Sequence, residues 1–167
     1  MTTARLPISE VLTPQTIDLD LEGITCKEEA IEYLASLLDR AGLLLDKDAY
    51  IQSVYERESL GPTYMEQFIA IPHGKCDAVK EAGIGFGRSK AGFQYQTQQG
   101  GGLAKLVFLL AIPNRYSADA YMAVLAGLAR LLVHEEFRDA LYQAESYQDV
   151  LDAITRCEQY LEDLNPD

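Results

Sequence analysis

Lys105-Leu-Val-Phe-Leu-Leu-Ala-Ile112 is apolar in both of its alternating phases and stops at Pro113-Asn114. A strand wetted on one side alternates apolar with polar residues; one with no polar phase belongs inside a sheet with helices packed on either side. The rest of the chain has to supply its neighbours. Upstream, Ala82–Ser89 and Phe93–Thr97 are β-prone runs separated by Ala91-Gly92, which predicts a hairpin around Lys90–Gly92. Gln98-Gln-Gly-Gly-Gly102 then reads as a flexible loop too short to link domains. Phe68-Ile-Ala-Ile71 is a short buried strand that should end at Pro72 and His73, because proline forces the preceding residue into an extended conformation. Thr16-Ile-Asp-Leu-Asp-Leu21 alternates with period two, as a half-buried strand does.

Helical signals fill the intervals. A short turn is expected around Ile8–Leu12. Thr25 and Glu28 have capping-box spacing ahead of a helix over 26–41, with Ile31, Leu34, Leu37 and Leu38 on one face and Gly42 as its stop. Asp46 caps a second helix reaching about Glu58, with Ala49, Tyr50 and Val54 facing inward until Gly61-Pro62 breaks it. Ser117 caps a long helix with Met122, Leu125, Leu128, Ala129 and Leu132 as its stripe. Helices over about 135–144 and 147–161 follow, the second capped by Ser146 and carrying Val150, Ile154, Cys157 and Leu161 on one face. Strands and helices alternate irregularly, so the expected class is α/β, a single domain with a mixed β-sheet, a hairpin, and helices on both faces.

Composition narrows the function. The 167 residues favour one domain spanning 1–167, and 48% hydrophobic with 24% charged residues is a globular balance. Against 14 Lys+Arg stand 26 Asp+Glu, a net charge of −12 with no basic patch, which argues against nucleic acid. The apolar run at 106–112 is far short of the roughly 20 residues a membrane helix needs, and the N-terminus lacks a leader's apolar region. No membrane insertion and a cytoplasmic location are therefore expected. Cys26, Cys76 and Cys157 fit neither a disulfide framework nor a CxxC pattern, and His73 and His134 are the two histidines. No metal and no cofactor are expected. His134 reads as a surface or capping imidazole and Cys76 as a plain thiol.

Ile69-Ala-Ile-Pro-His-Gly74 is the unusual feature. A strand followed by a proline holds the next side chain with little freedom, and Gly74 is expected to leave room for another molecule to approach. That arrangement suits a nucleophile at a sheet rim. In the bland alternative, His73 merely ends a strand and hydrogen-bonds a carbonyl. Arg57, Thr63 and Lys75 lie within twenty residues, and an arginine plus a hydroxyl are groups that bind phosphoryl oxygens.

At these residues the chain resembles the fructose/mannitol-type (type 2) enzyme IIA of the bacterial phosphoenolpyruvate-dependent sugar phosphotransferase system, a family that also contains nitrogen-regulatory IIA proteins. The resemblance spans nearly the whole chain. It rests on Lys27-Glu-Glu-Ala-Ile31, Arg57-Glu58, Pro62-Thr63, Ala70-Ile-Pro-His-Gly74, and the Leu125–Leu132 helix running into Glu135-Glu-Phe-Arg138. It implies a phosphotransferase in which His73 takes a phosphoryl group from the histidine-containing phosphocarrier protein and passes it to a sugar-specific IIB component. By the same resemblance Arg57 stabilises the phosphoryl oxygens, the alternative being a helix C-terminal arginine paired with a neighbouring carboxylate; Thr63 is either a hydroxyl donor or simply a turn residue.

The chain departs from the family pattern twice. Thr63-Tyr-Met-Glu-Gln-Phe68 replaces a glycine-rich stretch, and Tyr121 falls where relatives carry a second active-site histidine. Two further readings stay open: a regulatory IIA-like protein whose phosphorylation state controls another protein, and a degenerate, non-catalytic binding module. The chain ends in Asp163-Leu-Asn-Pro-Asp167, so IIB and IIC are expected as separate polypeptides, with membrane association only through them.

Overall fold

The computed structural model describes residues 8–164, with side chains through residue 158; the chain ends read above for a leader and a tail lie outside this range. Contacts divide the chain into two compact units, one of residues 14–116 and one uniting the segment before residue 14 with residues 117 onward.

The first unit contains the sheet. Its strands are β1 (Ile17–Asp18), β2 (Tyr64–Met65), β3 (Ile69–Ala70), β4 (His73–Cys76), β5 (Gly83–Tyr95) and β6 (Gly102–Pro113), and the order is β1-β5-β6-β3-β2 with β4 also on β6. β1 on β5, β3 on β6 and β4 on β6 are parallel, while β5–β6 and β2–β3 are antiparallel. The sheet is mixed, as the sequence predicts, and β6 runs through its middle. Leu106, Phe108 and Leu110 on one face of β6 and Val107, Leu109 and Ala111 on the other are all fully buried. The apolar run has no polar phase because neither side meets water.

The hairpin is real but lies elsewhere. β5 continues through Lys90–Gly92, and the chain reverses in residues 96–101, the loop between β5 and β6. Gly92, at φ +84, donates its N–H to Ser89 Oγ, and the β5–β6 register shifts between Arg88 and Phe93. The turn signal therefore marks a bulge within a strand, because the runs on both sides of it pair with the same partner. β1 is also shorter than the alternating run from Thr16, whose first residue closes a 3₁₀ turn at Pro14–Thr16.

Two helices, α2 (Lys27–Arg40) and α3 (Lys47–Leu60), follow the unit's first strand in sequence. Ala30, Ile31, Leu34 and Leu38 of α2 and Tyr50 and Val54 of α3 share one core with Val107, Leu109 and Ala111. The N-terminus of α2 uses Glu29 rather than Glu28: its carboxylate accepts from both the backbone N–H and the hydroxyl of Thr25. Cys26 occupies the cap position, so the reciprocal contact moves one residue along. Gly42, at φ +81, ends the helix as expected, its N–H on Asp39 O and that of Leu43 on Leu38 O. Asp46 caps α3 through Ala49 N–H, but Ala49 is exposed and Ile51 takes its place inside.

The second unit holds α1 (Ile8–Val11), α4 (Ala118–Leu132), α5 (Glu135–Gln143) and α6 (Tyr147–Leu164). Ser117 caps α4 by accepting from Ala120 N–H, and Ser146 caps α6 through Asp149 N–H. The buried stripe of α4 is Val124, Leu128, Leu131 and Leu132, whereas Met122 is exposed. Leu128 and Leu132 of the expected stripe are buried and Leu125 and Ala129 half-buried, while Val124 and Leu131 replace Met122, because α4 is apolar around most of its circumference and leaves periodicity little contrast. Val150 and Ile154 of α6 are buried, Cys157 is half-buried, and the side chain of Leu161 lies outside the described range.

Candidate functional site

Ile71 and Pro72 interrupt a strand that resumes. β3 pairs Ile69 with Leu106 and Ala70 with Val107, and β4 pairs His73 with Leu110 in unchanged register. His73 therefore begins a strand instead of following the end of one, and the expected terminus is a two-residue gap. Pro72 brings no N–H to the ladder, although its carbonyl still accepts from Leu110 N–H. Ile71 donates its N–H to Thr63 O at 2.9 Å. Its carbonyl oxygen lies 2.8 Å from Nδ1 of His73.

That contact fixes the tautomer. A carbonyl only accepts, so Nδ1 carries the proton and Nε2 the lone pair. Burial pushes the His73 pKa below its ordinary value; the Ile71 carbonyl opposes this, Arg57 adds to it and Glu58 opposes it. A base held below the usual histidine value of about 6.5 is neutral at pH 7. Only 4% of the residue is exposed, so the imidazole is a confined group, not a surface one.

Gly74 does not open space for a visitor. A Cβ built there would lie 2.4 Å from Ser53 Oγ and 3.1 Å from Val54 Cγ2, so the missing side chain lets α3 approach β4. The same helix delivers Arg57 in its last turn, where Nη1 donates to Gly61 O at 2.9 Å. Among the described residues no carboxylate pairs with Arg57, and four N–H donors of its planar group remain beyond that bond.

Thr63 is buried, and its hydroxyl donates to Glu58 Oε1, which also accepts from Tyr95 Oη at 3.1 Å. Lys27 Nζ lies 3.6 Å from the other carboxylate oxygen and 5.5 Å from the Tyr95 ring centre. Thr63 thus belongs to a buried polar cluster on the wall of the site. Lys75 reaches Asn114, with Nζ 3.3 Å from its Oδ1. Tyr121 stands in the first turn of α4, half-buried, with its N–H on Ser117 O.

The cluster around Glu58 was not singled out from the sequence, though a signal exists. Glu58 follows Tyr50 and Val54 at helical spacing, so it is a carboxylate on a buried stripe. The 66–68 turn puts Gln67 and Phe68 at φ +68 and +67, a left-handed region that side chains other than glycine rarely enter. Its last carbonyl is held by Lys105 and Leu106 N–H.

A family model described as "Phosphoenolpyruvate-dependent sugar phosphotransferase system, EIIA 2" matches residues 10–157. This chain belongs to that family. As a IIA component it is a phosphotransferase of the sugar phosphotransferase system. It is 38% identical over 151 residues to the fructose-specific EIIABC component of Bacillus subtilis, covering 90% of this chain but spanning only 23% of that much longer protein. To the fructose-specific EIIA component of Haloferax volcanii it is 36% identical, over 88% of this chain and 94% of the relative.

Solved structures of IIA proteins share the fold. Nitrogen regulatory protein IIA-Ntr from Neisseria meningitidis superposes with a TM-score of 0.77 at 29% identity, over 88% of this chain and 98% of that one. A complex of enzyme IIAMtl with phosphorylated enzyme IIBMtl from Escherichia coli matches with a TM-score of 0.70 at 26% identity, over 86% and 96%. No helix among the described residues is long and apolar enough to cross a membrane.

Proposed function

We propose that this IIA chain carries a phosphoryl group on His73, accepting it from the histidine-containing phosphocarrier protein and passing it to a separate sugar-specific IIB component during sugar uptake in the cytoplasm. The observation that carries this reading is the 2.8 Å contact between Nδ1 of His73 and the Ile71 carbonyl, which leaves the lone pair on Nε2. That lone pair forms the new N–P bond while the donor's N–P bond breaks and its electron pair returns to the donor nitrogen. The product ring keeps its Nδ1 proton and gains positive charge, which the Ile71 carbonyl stabilises. Arg57 neutralises the phosphoryl oxygens as they pass between the two nitrogens. Thr63 acts from the wall: its hydroxyl is held by Glu58 and its carbonyl takes the Ile71 N–H. The solved complex with a phosphorylated IIB supports the choice of acceptor. Residues 1–167 act as one phosphocarrier unit.

Tyr121 is assigned on the sequence resemblance alone, as a neutral hydrogen-bond donor to the phosphoryl group. Tyr121→Phe tests it: a lifetime of the phosphoprotein equal to the parent's removes the assignment.

The likeness to nitrogen regulatory protein IIA-Ntr favours a second reading, in which the phosphorylation state of His73 controls another protein. One experiment separates the readings. Incubation with phosphoenolpyruvate, enzyme I and the phosphocarrier protein should give an acid-labile adduct that is lost in His73→Ala and drained by a IIB acceptor. An adduct that no IIB drains supports the regulatory role. No adduct at all leaves a degenerate binding module.

A further inference from the structure

We propose that Glu58 is a positioning residue for the His73 imidazole, acting through Thr63 and Ile71. The inference deepens the function proposed above and rests on His73 being the phosphoryl acceptor.

The connection is a continuous series of hydrogen bonds. Glu58 Oε1 takes the Thr63 hydroxyl, Thr63 O takes the Ile71 N–H at 2.9 Å, and Ile71 O takes Nδ1 of His73 at 2.8 Å. Pro72 makes the last links stiff. It restricts Ile71 to extended conformations and fixes its own φ, so a displaced Thr63 carries the Ile71 carbonyl with it. The ring then loses the acceptor that selects its tautomer.

The placement of Glu58 argues for a specific use. It is 7% exposed at the end of α3, where its carboxylate takes Thr63 and Tyr95 on one oxygen and faces Lys27 Nζ at 3.6 Å on the other. The partners come from three further segments: the start of α2, the loop after α3, and β5. A buried ion pair is a poor way to gain stability, since apolar residues of similar volume usually serve as well or better. What such a pair supplies is a defined arrangement, because each hydroxyl has one acceptor to reach and the carboxylate has few ways to satisfy all its partners. Here the arrangement ends on the nitrogen opposite the nucleophile. Supports of this kind behind an imidazole hold it in tautomer and direction.

The test pairs a ring measurement with a rate. Nitrogen-15 NMR of the whole chain reports the tautomer, and with only two histidines in the sequence His73→Gln identifies the resonance. In the parent, neutral His73 should be the Nδ1–H form. Thr63→Val keeps the shape and removes the hydroxyl, and Glu58→Gln removes the carboxylate. In each, the Nε2–H form should rise and single-turnover transfer from the phosphocarrier protein should slow about tenfold at unchanged donor KM. Thr63→Ser should move both readings back toward the parent. Folded variants with the parent's tautomer and rate would overturn the proposal; if Glu58→Gln does not fold, Thr63→Val decides. A parent that accepts no phosphoryl group overturns the function instead, and the tautomer still tests the positioning.

Discussion

The imidazole of His73 turns back on its own chain, its Nδ1 2.8 Å from the carbonyl of Ile71 two residues earlier. The strand interruption allows this. Between β3 and β4 the chain stays in register with β6, yet Ile71 is outside both strands and its carbonyl accepts from a side chain. Pro72 is what makes a gap there cheap, since it has no N–H for the ladder to miss. One proline thus ends a strand segment, aims a carbonyl and selects a tautomer.

From this follows a pH dependence. The folded His73 pKa is depressed, mainly by burial, so the unfolded chain binds more protons between the folded value and about 6.5. Its contribution to stability is fully present above about pH 6.5 and is lost as pH falls through that value toward the folded pKa. Phosphoryl acceptance, which needs the neutral ring, should decline only as pH falls toward the depressed folded pKa, at lower pH than an unshifted imidazole would allow. Titration of the ring by NMR alongside the transfer rate checks both. A midpoint above 6.5 would refute the assignment.

Arg57→Lys should keep the fold, because an ammonium can also donate to the Gly61 carbonyl at the end of α3. What it loses is the planar pair of donors that can hold two phosphoryl oxygens at once. Transfer should slow about tenfold, equivalent to roughly 1–2 kcal/mol of transition-state stabilisation. Thermal unfolding measured beside the rate separates the two roles. Equal rates would leave Arg57 as a helix-end residue.

How much of this was legible in the sequence depends on the range of each signal. The apolar run ending at Ile112 placed the central strand, and Asp46, Ser117 and Ser146 each marked a helix start, because such caps act within three residues. Gly92 misled for the complementary reason. A glycine at positive φ serves a bulge as well as a hairpin, and only the shared partner of the flanking runs tells them apart. His73, Arg57 and Thr63 stood out by residue type and spacing. The bonds that tie Thr63 to Tyr95 and Lys27 to Glu58 join residues more than thirty positions apart, which no local pattern encodes.

Gly74→Ala tests the corrected role of that glycine. Its Cβ would meet Ser53 Oγ at 2.4 Å, too close to keep, while Val54 Cγ2 and Tyr50 Cε1 at 3.1 and 3.3 Å leave little room for retreat. Overpacking of this kind costs about 1–3 kcal/mol, so urea unfolding should shift by that amount. Ser53→Gly in the same chain should recover part of it by removing the nearest atom. A neutral Gly74→Ala would mean that α3 and β4 are not in such close contact.

Tyr50→Phe probes the same interface from the helix side. The ring is fully buried, and its hydroxyl donates to Leu110 O at 2.6 Å, on the residue that pairs with His73 in β6. Removing only the oxygen keeps the packing and deletes one buried hydrogen bond, a loss of about 0.5–1.5 kcal/mol that grows if the carbonyl is left without another donor. For a chain of this size that lowers Tm by about 2–4 °C per kcal/mol. The transfer rate should respond less than in Arg57→Lys, because Leu110 meets His73 through the backbone ladder and its carbonyl does not touch the imidazole proton. Calorimetry and single-turnover transfer on the same preparation read the two effects separately. A variant as stable as the parent would show that this hydroxyl does not tie α3 to the sheet, and the close approach at Gly74 would then have to be held by apolar packing alone.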